Sequence, residues 1–112
     1  MADCLFCKMV TGEITPDVVF ENDSVLAFRD INPQAPVHIL IIPKRHIATL
    51  NDLNDALLAG QLLQAAVKVA KQEYLSEDGY RTVFNCNKMG GQEVYHLHLH
   101  LLGGRQMTWP PG

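Results

Sequence analysis

The stretch His96-Leu97-His98-Leu99-His100-Leu101-Leu102 alternates histidine with leucine near the C-terminal end of the chain. Successive side chains of a β-strand point to opposite faces, so this pattern predicts a strand with three histidines on one face, roughly 7 Å apart, and leucines on the other. An imidazole changes its charge near neutral pH, and its neutral nitrogen can attack phosphorus or bind a metal. The concentration of histidines on an otherwise apolar strand therefore favours a chemical role over an ordinary half-buried strand.

The composition predicts a globular protein of one domain, residues 1–112, with 47% hydrophobic and 19% charged residues. A net charge of −3 argues against a nucleic-acid partner bound through a general basic field. No apolar run approaches the roughly 20 residues that cross a bilayer, so we expect no membrane partner. Three cysteines are too few for a disulfide framework, which favours a cytoplasmic location.

Local patterns predict an α+β fold, in which a five-stranded antiparallel sheet carries one long helix and a short N-terminal helix. Asp3 can cap the short helix over residues 3–11, and Gly12 can end it. Asn51 or Asn54 can cap the long helix, which runs to about Tyr74. The strands are expected at residues 17–21, 24–29, 37–42, 80–86 and 96–102, and the two prolines of residues 30–36 predict an ordered loop there.

Three further features carry chemistry or structure. Backbone N–H groups at Gly90 and Gly91 can point at an anion above the histidine strand, although a pair of glycines is more often only a turn. His38, in a β-branched run, is the kind of histidine that is usually hydrogen-bonded in the core. The pair Cys4 and Cys7 has three interpretations, which are packing, redox chemistry or half of a zinc site, and no strand–helix pattern follows it to support a redox fold.

The chain resembles the histidine triad nucleotide-binding proteins, and their phosphoramidase branch in particular. The histidine stretch has the form His-φ-His-φ-His-φ-φ, where φ is apolar. The other matches are Asp30-Ile31-Asn32-Pro33-Gln34-Ala35-Pro36, Ile42-Pro43-Lys44-Arg45-His46, Gly90-Gly91-Gln92, and the ending from Leu102-Gly103-Gly104-Arg105 through Trp109-Pro110-Pro111-Gly112. The resemblance therefore covers essentially the whole chain.

The resemblance implies a homodimer whose sheet continues from one subunit into the other. It implies hydrolysis of AMP joined through a P–N bond to a small amine or a lysine, and of aminoacyl adenylates, with no cofactor required for catalysis. His98 is the implied nucleophile: it attacks the α-phosphorus, expels the amine and forms a nucleotidyl-histidine that water cleaves. The central position of His98 in the row of three histidines agrees with this role, because the histidines on both sides can position its ring.

The resemblance also implies roles for residues around His98. His100, the Asn85 amide and the backbone from Gln92 to Val94 donate hydrogen bonds to the phosphoryl oxygens. His38 and His96 fix the tautomer and direction of His98, and Asp30 accepts hydrogen bonds from the ribose hydroxyls. The other implied nucleotide-binding positions are Leu5, Phe6, Met9, Ile14, Phe28, Ile31, Leu40, Gly91, Glu93 and Leu99, and Trp109 is expected to approach the site of the neighbouring subunit.

Two positions leave alternatives open. Glu93 stands where many relatives carry a serine, and it either turns outward so that only its backbone serves, which we favour, or acts on the leaving amine. Some relatives with the Cys4 and Cys7 pair bind structural zinc together with the residues that correspond to His46 and His96, whereas many phosphoramidase relatives lack the cysteines. The alternatives for the whole chain are a dinucleoside polyphosphate hydrolase of the same superfamily and a non-catalytic nucleotide-binding dimeric scaffold.

Overall fold

The computed structural model describes residues 3–112, so the first two residues of the predicted domain lie outside the described part. The elements are α1 (Leu5–Thr11), β1 (Val18–Glu21), β2 (Val25–Arg29), β3 (Val37–Pro43), a 3₁₀ turn (Leu50–Asp52), α2 (Ala56–Gln72), β4 (Tyr80–Phe84) and β5 (Leu99–Gly103). The strands form one antiparallel sheet in the order β1-β2-β3-β5-β4. This confirms the predicted α+β fold with a five-stranded antiparallel sheet.

The short helix α1 begins at Leu5, two residues after the start of the predicted range 3–11. Its N-cap is Cys4 and not Asp3, because the Cys4 sulfur accepts a hydrogen bond from the Cys7 backbone N–H at 3.3 Å. The predicted end at Gly12 is confirmed: Gly12 has a left-handed φ of 87°, and its N–H donates to the carbonyl of Met9.

The long helix α2 is capped by Asp55 and not by Asn51 or Asn54. The Asp55 carboxylate accepts a hydrogen bond from the backbone N–H of Leu58 at 3.1 Å. The N-cap therefore lies one residue after Asn54, the nearer of the two predicted caps. The helix ends at Gln72, so it stops two residues before the predicted end. No helix of residues 3–112 is long and apolar enough to cross a membrane.

The sheet has a buried cluster on each face. Helix α2 covers one face with Leu62, Ala66 and Val69, and this cluster also holds Leu97, Leu99 and Leu101. Helix α1 contributes to the other cluster, which consists of Phe6, Leu26, Phe28, Leu40 and Ile42. Strand β3 lies at the centre and all but its first residue are buried, as its near-continuous apolar run predicts.

The histidine stretch is only partly a regular strand, which corrects the prediction of a strand over residues 96–102. Strand β5 begins at Leu99, where Leu99 pairs with Ile41 of β3 and with Phe84 of β4. Before it, the N–H of Leu97 donates to the carbonyl of Ile47 at 2.6 Å, outside the sheet. The predicted alternation of faces nevertheless holds, because the leucines join the cluster under α2 while the histidines lie on the side of α1.

Candidate active site

A cavity of about 1000 Å³ opens on the face of the sheet that α1 partly covers. Its walls come from α1, the segments before β1 and after β2, strand β3, and the loop that follows β4. The lining includes Leu5, Phe6, Met9, Ile14, Thr15, Pro16, Asp17, Phe28, Arg29, Asp30, Ile31, Asn32, Gln34, His38, Leu40, Asn85, Gly91, Glu93, Val94, His98 and His100. Two of the three triad histidines therefore face one space together with most of the predicted nucleotide-binding residues.

Hydrogen bonding assigns the proton of the His98 ring. The Nδ1 atom of His98 lies 2.8 Å from the backbone carbonyl oxygen of His96. A carbonyl can only accept, so Nδ1 carries the hydrogen and the neutral ring keeps its lone pair on Nε2. The Phe6 ring lies edge-on to His98 with 5.3 Å between the ring centroids, and it restricts the ring further. His98 is thus held in the tautomer that leaves a nucleophilic nitrogen on the opposite side of the ring.

A second chain of hydrogen bonds fixes His38 and His100. The backbone N–H of Gln34 donates to Nδ1 of His38 at 3.0 Å, so His38 carries its hydrogen on Nε2. That Nε2–H lies 2.9 Å from Nδ1 of His100, which must therefore accept. The proton of the neutral His100 ring is consequently on Nε2. The Asp30 carboxylate, 3.5 Å from Nε2 of His38, favours the same tautomer.

Burial keeps these two rings neutral near pH 7. It lowers the pKa of His38 below its ordinary value, against the opposing effect of the Asp30 charge. Burial, together with repulsion from His98 and His38, lowers the pKa of His100 to about 4. Neutral rings are what the hydrogen-bond directions require, since a protonated His38 could not accept from Gln34.

A group of four ligand-type side chains lies beside the cavity, with donor atoms of Cys4, Cys7, His46 and His96 all within 4.8 Å of one another. Nε2 of His96 lies 2.8 Å from the carbonyl of Pro43 and must donate to it, so Nδ1 carries the lone pair. Nδ1 faces the sulfurs of Cys4 at 3.4 Å and Cys7 at 3.5 Å.

This group fits zinc. Nδ1 of His46 lies 3.2 Å from the sulfur of Cys7, so two sulfurs and two nitrogens converge on one point. Two thiolates and two imidazoles are a common tetrahedral zinc set. Burial and the neighbouring Cys4 raise the pKa of the Cys7 thiol, and zinc would offset this by binding the thiolate. The predicted ligands Cys4, Cys7, His46 and His96 are thus brought together.

A second group, Asp30, His38 and His100, has its donor atoms equally close but does not fit a metal. Nε2 of His38, the nitrogen that points into this group, carries a hydrogen because Nδ1 accepts from Gln34. Binding a metal there would move that hydrogen to Nδ1, where it would oppose the Gln34 N–H. These three residues therefore form a hydrogen-bonded chain.

The structure corrects three predicted placements, those of Leu99, Gln92 and His38. The Leu99 side chain packs in the cluster under α2, on the face opposite the cavity. The backbone N–H of Gln92, predicted to donate to the phosphoryl oxygens, donates to the carbonyl of Asn87 at 3.1 Å, and the Gln92 side chain donates to the carbonyl of Ala48 at 2.8 Å. His96 agrees with both of its predicted roles, because its ring belongs to the cysteine group and its carbonyl accepts from Nδ1 of His98. The ring of His38 is bonded to His100, so it acts on His98 at most indirectly.

Sequence reasoning overlooked several residues of the site. Thr15, Pro16, Asp17, Arg29 and Asn32 line the cavity without having been predicted. Gln34 was quoted within a motif but was given no role, although its backbone N–H sets the His38 tautomer. The signal for Gln34 is its place between Pro33 and Pro36, because two prolines stiffen a loop and hold its free N–H groups in place.

Two predicted positions remain exposed. Glu93 is solvent-exposed and lines the cavity, which is compatible with both alternatives. Trp109 is 83% exposed in the single chain, beyond a turn in which the carbonyl of Thr108 accepts from Arg81 at 2.9 Å.

Comparisons with known proteins identify the family of this chain. The family model for the HIT domain matches residues 11–107. A purine nucleoside phosphoramidase of Escherichia coli K12 is 50% identical over 107 residues, which cover 94% of this chain and 90% of that protein. A 14 kDa zinc-binding protein of Zea mays is 56% identical over 113 residues, covering 96% of this chain and 87% of that protein. The crystal structure of a HIT family hydrolase from Legionella pneumophila superposes with a TM-score of 0.95 at 66% identity, covering 98% of this chain and all of that one. The chain belongs to the HIT domain family.

Proposed function

We propose that this protein is a hydrolase that acts as a purine nucleoside phosphoramidase, cleaving the P–N bond between AMP and an amine, and that it also hydrolyses aminoacyl adenylates. The observation that carries the proposal is the bond from His98 Nδ1–H to the His96 carbonyl, because it leaves Nε2 unprotonated in a residue that lines the cavity. The 50% identity to the E. coli purine nucleoside phosphoramidase supports this reaction over others of the family.

In the first step, the Nε2 lone pair of His98 forms a bond to the α-phosphorus and the P–N bond to the amine breaks. The amine leaves with the electron pair of the P–N bond and takes up a proton from solvent, and the nucleotide stays on His98 as a nucleotidyl-histidine. In the second step, a water oxygen attacks the same phosphorus, the P–Nε2 bond breaks, and the water gives up a proton to solvent. AMP is released, and His98 returns to its Nδ1–H tautomer.

Two hydrogen-bond donors meet where negative charge builds up on the phosphoryl oxygens. Nε2 of His100 carries a hydrogen, and this nitrogen lies 3.5 Å from the side-chain amide nitrogen of Asn85. Two donors do not bond to each other, so both N–H groups are available to one anionic oxygen in the cavity. The loop after β4 also lines the cavity with Gly91, Glu93 and Val94. The N–H groups of Gly91 and Gln92 donate to the carbonyls of Lys88 and Asn87, so those of Glu93 and Val94 are the backbone donors that the loop can offer to the phosphate.

Other residues of the cavity suit a nucleoside. One oxygen of Asp30 accepts from the Asn32 N–H at 2.8 Å, and the carboxylate keeps lone pairs for two ribose hydroxyls. Phe6, Phe28 and Leu40 form an apolar wall for the base, while Ile31 is 99% exposed and free to cover a bound ring. The cavity thus combines an apolar wall and a carboxylate with the donors near His100.

The deciding experiment is mass spectrometry of enzyme that is quenched in acid during turnover of adenosine phosphoramidate. We expect an AMP adduct on His98. The His98→Ala variant should show no adduct and a loss of hydrolysis by several orders of magnitude, whereas Gln64→Ala, an exposed change on α2, should behave as the unaltered protein. Turnover of diadenosine polyphosphate in preference to the phosphoramidate would instead identify a polyphosphate hydrolase, and nucleotide binding without any turnover would identify a scaffold.

We further propose that Cys4, Cys7, His46 and His96 hold one structural zinc ion, which closes the site with four protein ligands and takes no part in catalysis. Cys4, Cys7 and Cys86 are free cysteines, which suits the reducing cytoplasm where we propose that the protein acts. Metal analysis of protein purified without chelator should find about one zinc per chain. The Cys7→Ser variant should lose it and Cys86→Ser should keep it, whereas equal metal content in both would contradict this ligand set.

We propose that the functional form is a homodimer in which two sheets join edge to edge. Within residues 3–112, strand β4 pairs only with β5, so its outer edge is available to a second copy. On α2, Leu63 and Val67 stand one turn apart with 49% and 59% of their surface exposed, which is unusual for a helix that faces only water. Sedimentation velocity should give a dimer, and Val67→Lys should shift it toward the monomer.

A further inference from the structure

The C-terminal tail contacts the loop that positions His38. Strand β5 ends at Gly103, and Gly104 turns the chain with a left-handed φ of +88°. A Cβ at Gly104 would lie 2.9 Å from the Pro36 side chain, so tail and loop are in close contact at this turn. The next residue, Arg105, donates from Nε to the carbonyl of Gln34 at 3.2 Å.

Gln34 is therefore held on both sides. Its carbonyl accepts from Arg105, and its N–H donates to Nδ1 of His38 at 3.0 Å. Rotation of the backbone at Gln34 would disturb both bonds together. The direction in which this N–H points determines which nitrogen of His38 accepts, and hence which one carries the hydrogen.

The tautomers of His38 and His100 are coupled, because their rings share one hydrogen bond of 2.9 Å. If His38 moved its hydrogen to Nδ1, its Nε2 would become an acceptor and His100 would have to donate from Nδ1. His100 would then present a lone pair to the cavity where it now presents an N–H. The pair has two arrangements, and only the one in the structure offers a donor to a phosphoryl oxygen.

We propose that Arg105 is a positioning residue, which acts through Gln34 and His38 to hold His100 in the tautomer that donates into the cavity. The consequence for catalysis rests on the proposed function, but the tautomers themselves can be observed without any substrate. Arg105 is exposed, and the Asp30 carboxylate also favours the present tautomer of His38, so Arg105 contributes one part of the restraint.

The test replaces Arg105 by methionine, which keeps an unbranched side chain and removes the donor. A hydrogen bond at an exposed position corresponds to roughly a two- to fivefold change in an equilibrium, so kcat for the phosphoramidate should fall by about that factor while KM changes less. Arg105→Lys retains a donor, so its kcat should be close to that of the unaltered protein. Gln106→Ala is the matched control, because the Gln106 side chain bonds only to the neighbouring carbonyl of Met107.

The tautomers are read by NMR of histidine-labelled protein, in which the hydrogen attached to each ring nitrogen is identified directly. In the unaltered protein we expect Nε2–H for His38 and His100. Arg105→Met should add a population with Nδ1–H on both rings, and Gly104→Ala, which pushes against Pro36, should do so more strongly. A thermal melt confirms that each variant is folded.

Unchanged tautomers in both folded variants would overturn the proposal, even if kcat fell. A change in the tautomer of His38 without a matching change in the tautomer of His100 would also overturn the proposal, because the two rings would then not be coupled. A joint change in a protein that forms no adduct on His98 would support the positioning role of Arg105 and refute the phosphoramidase mechanism separately.

Discussion

Acid should destabilise this protein through His100 before most carboxylates are protonated. The pKa of His100 falls from 6.5 in an unfolded chain to about 4 in the fold, chiefly because the ring is buried. Above pH 6.5 the ring is neutral in both states and has no effect. Between pH 6.5 and 4 the unfolded chain binds a proton that the folded chain rejects, so the free energy of unfolding falls as pH falls. The whole lowering of the His100 pKa corresponds to a decrease of about 3 kcal/mol in the free energy of unfolding.

The assay is urea unfolding at several pH values between 7.5 and 4, with chelator present throughout. We expect the unaltered protein to lose about 3 kcal/mol more than the His100→Gln variant over this interval, because the variant lacks the buried ring. His38 and His96 also have lowered pKa values and contribute in the same direction to both proteins, so the difference reports His100 together with the hydrogen bond that it shares with His38. Gln64→Ala should retain the full dependence. Equal losses in the unaltered protein and His100→Gln would refute the argument.

Three further predictions concern packing. Leu99→Ala should lower the free energy of unfolding by about 2–5 kcal/mol and leave the AMP affinity of the folded protein unchanged. Leu40→Ala should lower both the free energy of unfolding and the AMP affinity, and calorimetric titration measures the affinity. Phe6→Ala should cost about 3–5 kcal/mol by loss of a buried ring and should weaken AMP binding, because Phe6 contacts both His98 and the proposed base site. Gly90→Ala should slow phosphoramidate turnover in a kinetic assay, since its Cβ would lie 2.5 Å from the Cys86 carbonyl and displace the loop beside the phosphate.

The sequence predicted the sheet and its two faces because burial alternates along each strand whatever its partner. The leucines at positions 97, 99 and 101 are all buried on the α2 side, as the alternation requires. The start of β5 was not predictable, because Leu99 lies opposite Phe84, where β4 ends, and the end of β4 cannot be read from the residues of β5. The N-cap at Cys4 was missed for a related reason: a sulfur is a weak acceptor, and the three-dimensional cluster that holds Cys4 is invisible in local sequence.

Most of the cavity lining followed from the resemblance, but the connections between side chains did not. His38 was expected to act on His98, whereas its ring is bonded to His100. The backbone N–H of Gln92 was expected to donate to the phosphate, whereas it donates to the carbonyl of Asn87, and the Gln92 side chain ties the loop to Ala48. The bonds of His38 to His100 and of Gln92 to Ala48 join segments far apart in the chain, and a linear pattern contains no information about their direction.

His96 makes two contacts with different parts of the residue, one through its ring and one through its backbone carbonyl. Its ring faces the cysteines, whereas its main-chain oxygen orients His98. Side-chain replacement cannot delete a peptide oxygen, so evolution can discard the ligand at this position without discarding the orientation of its neighbour. Replacement of the His96 side chain is therefore expected to remove one donor from the cysteine group while leaving in place the carbonyl that accepts from His98.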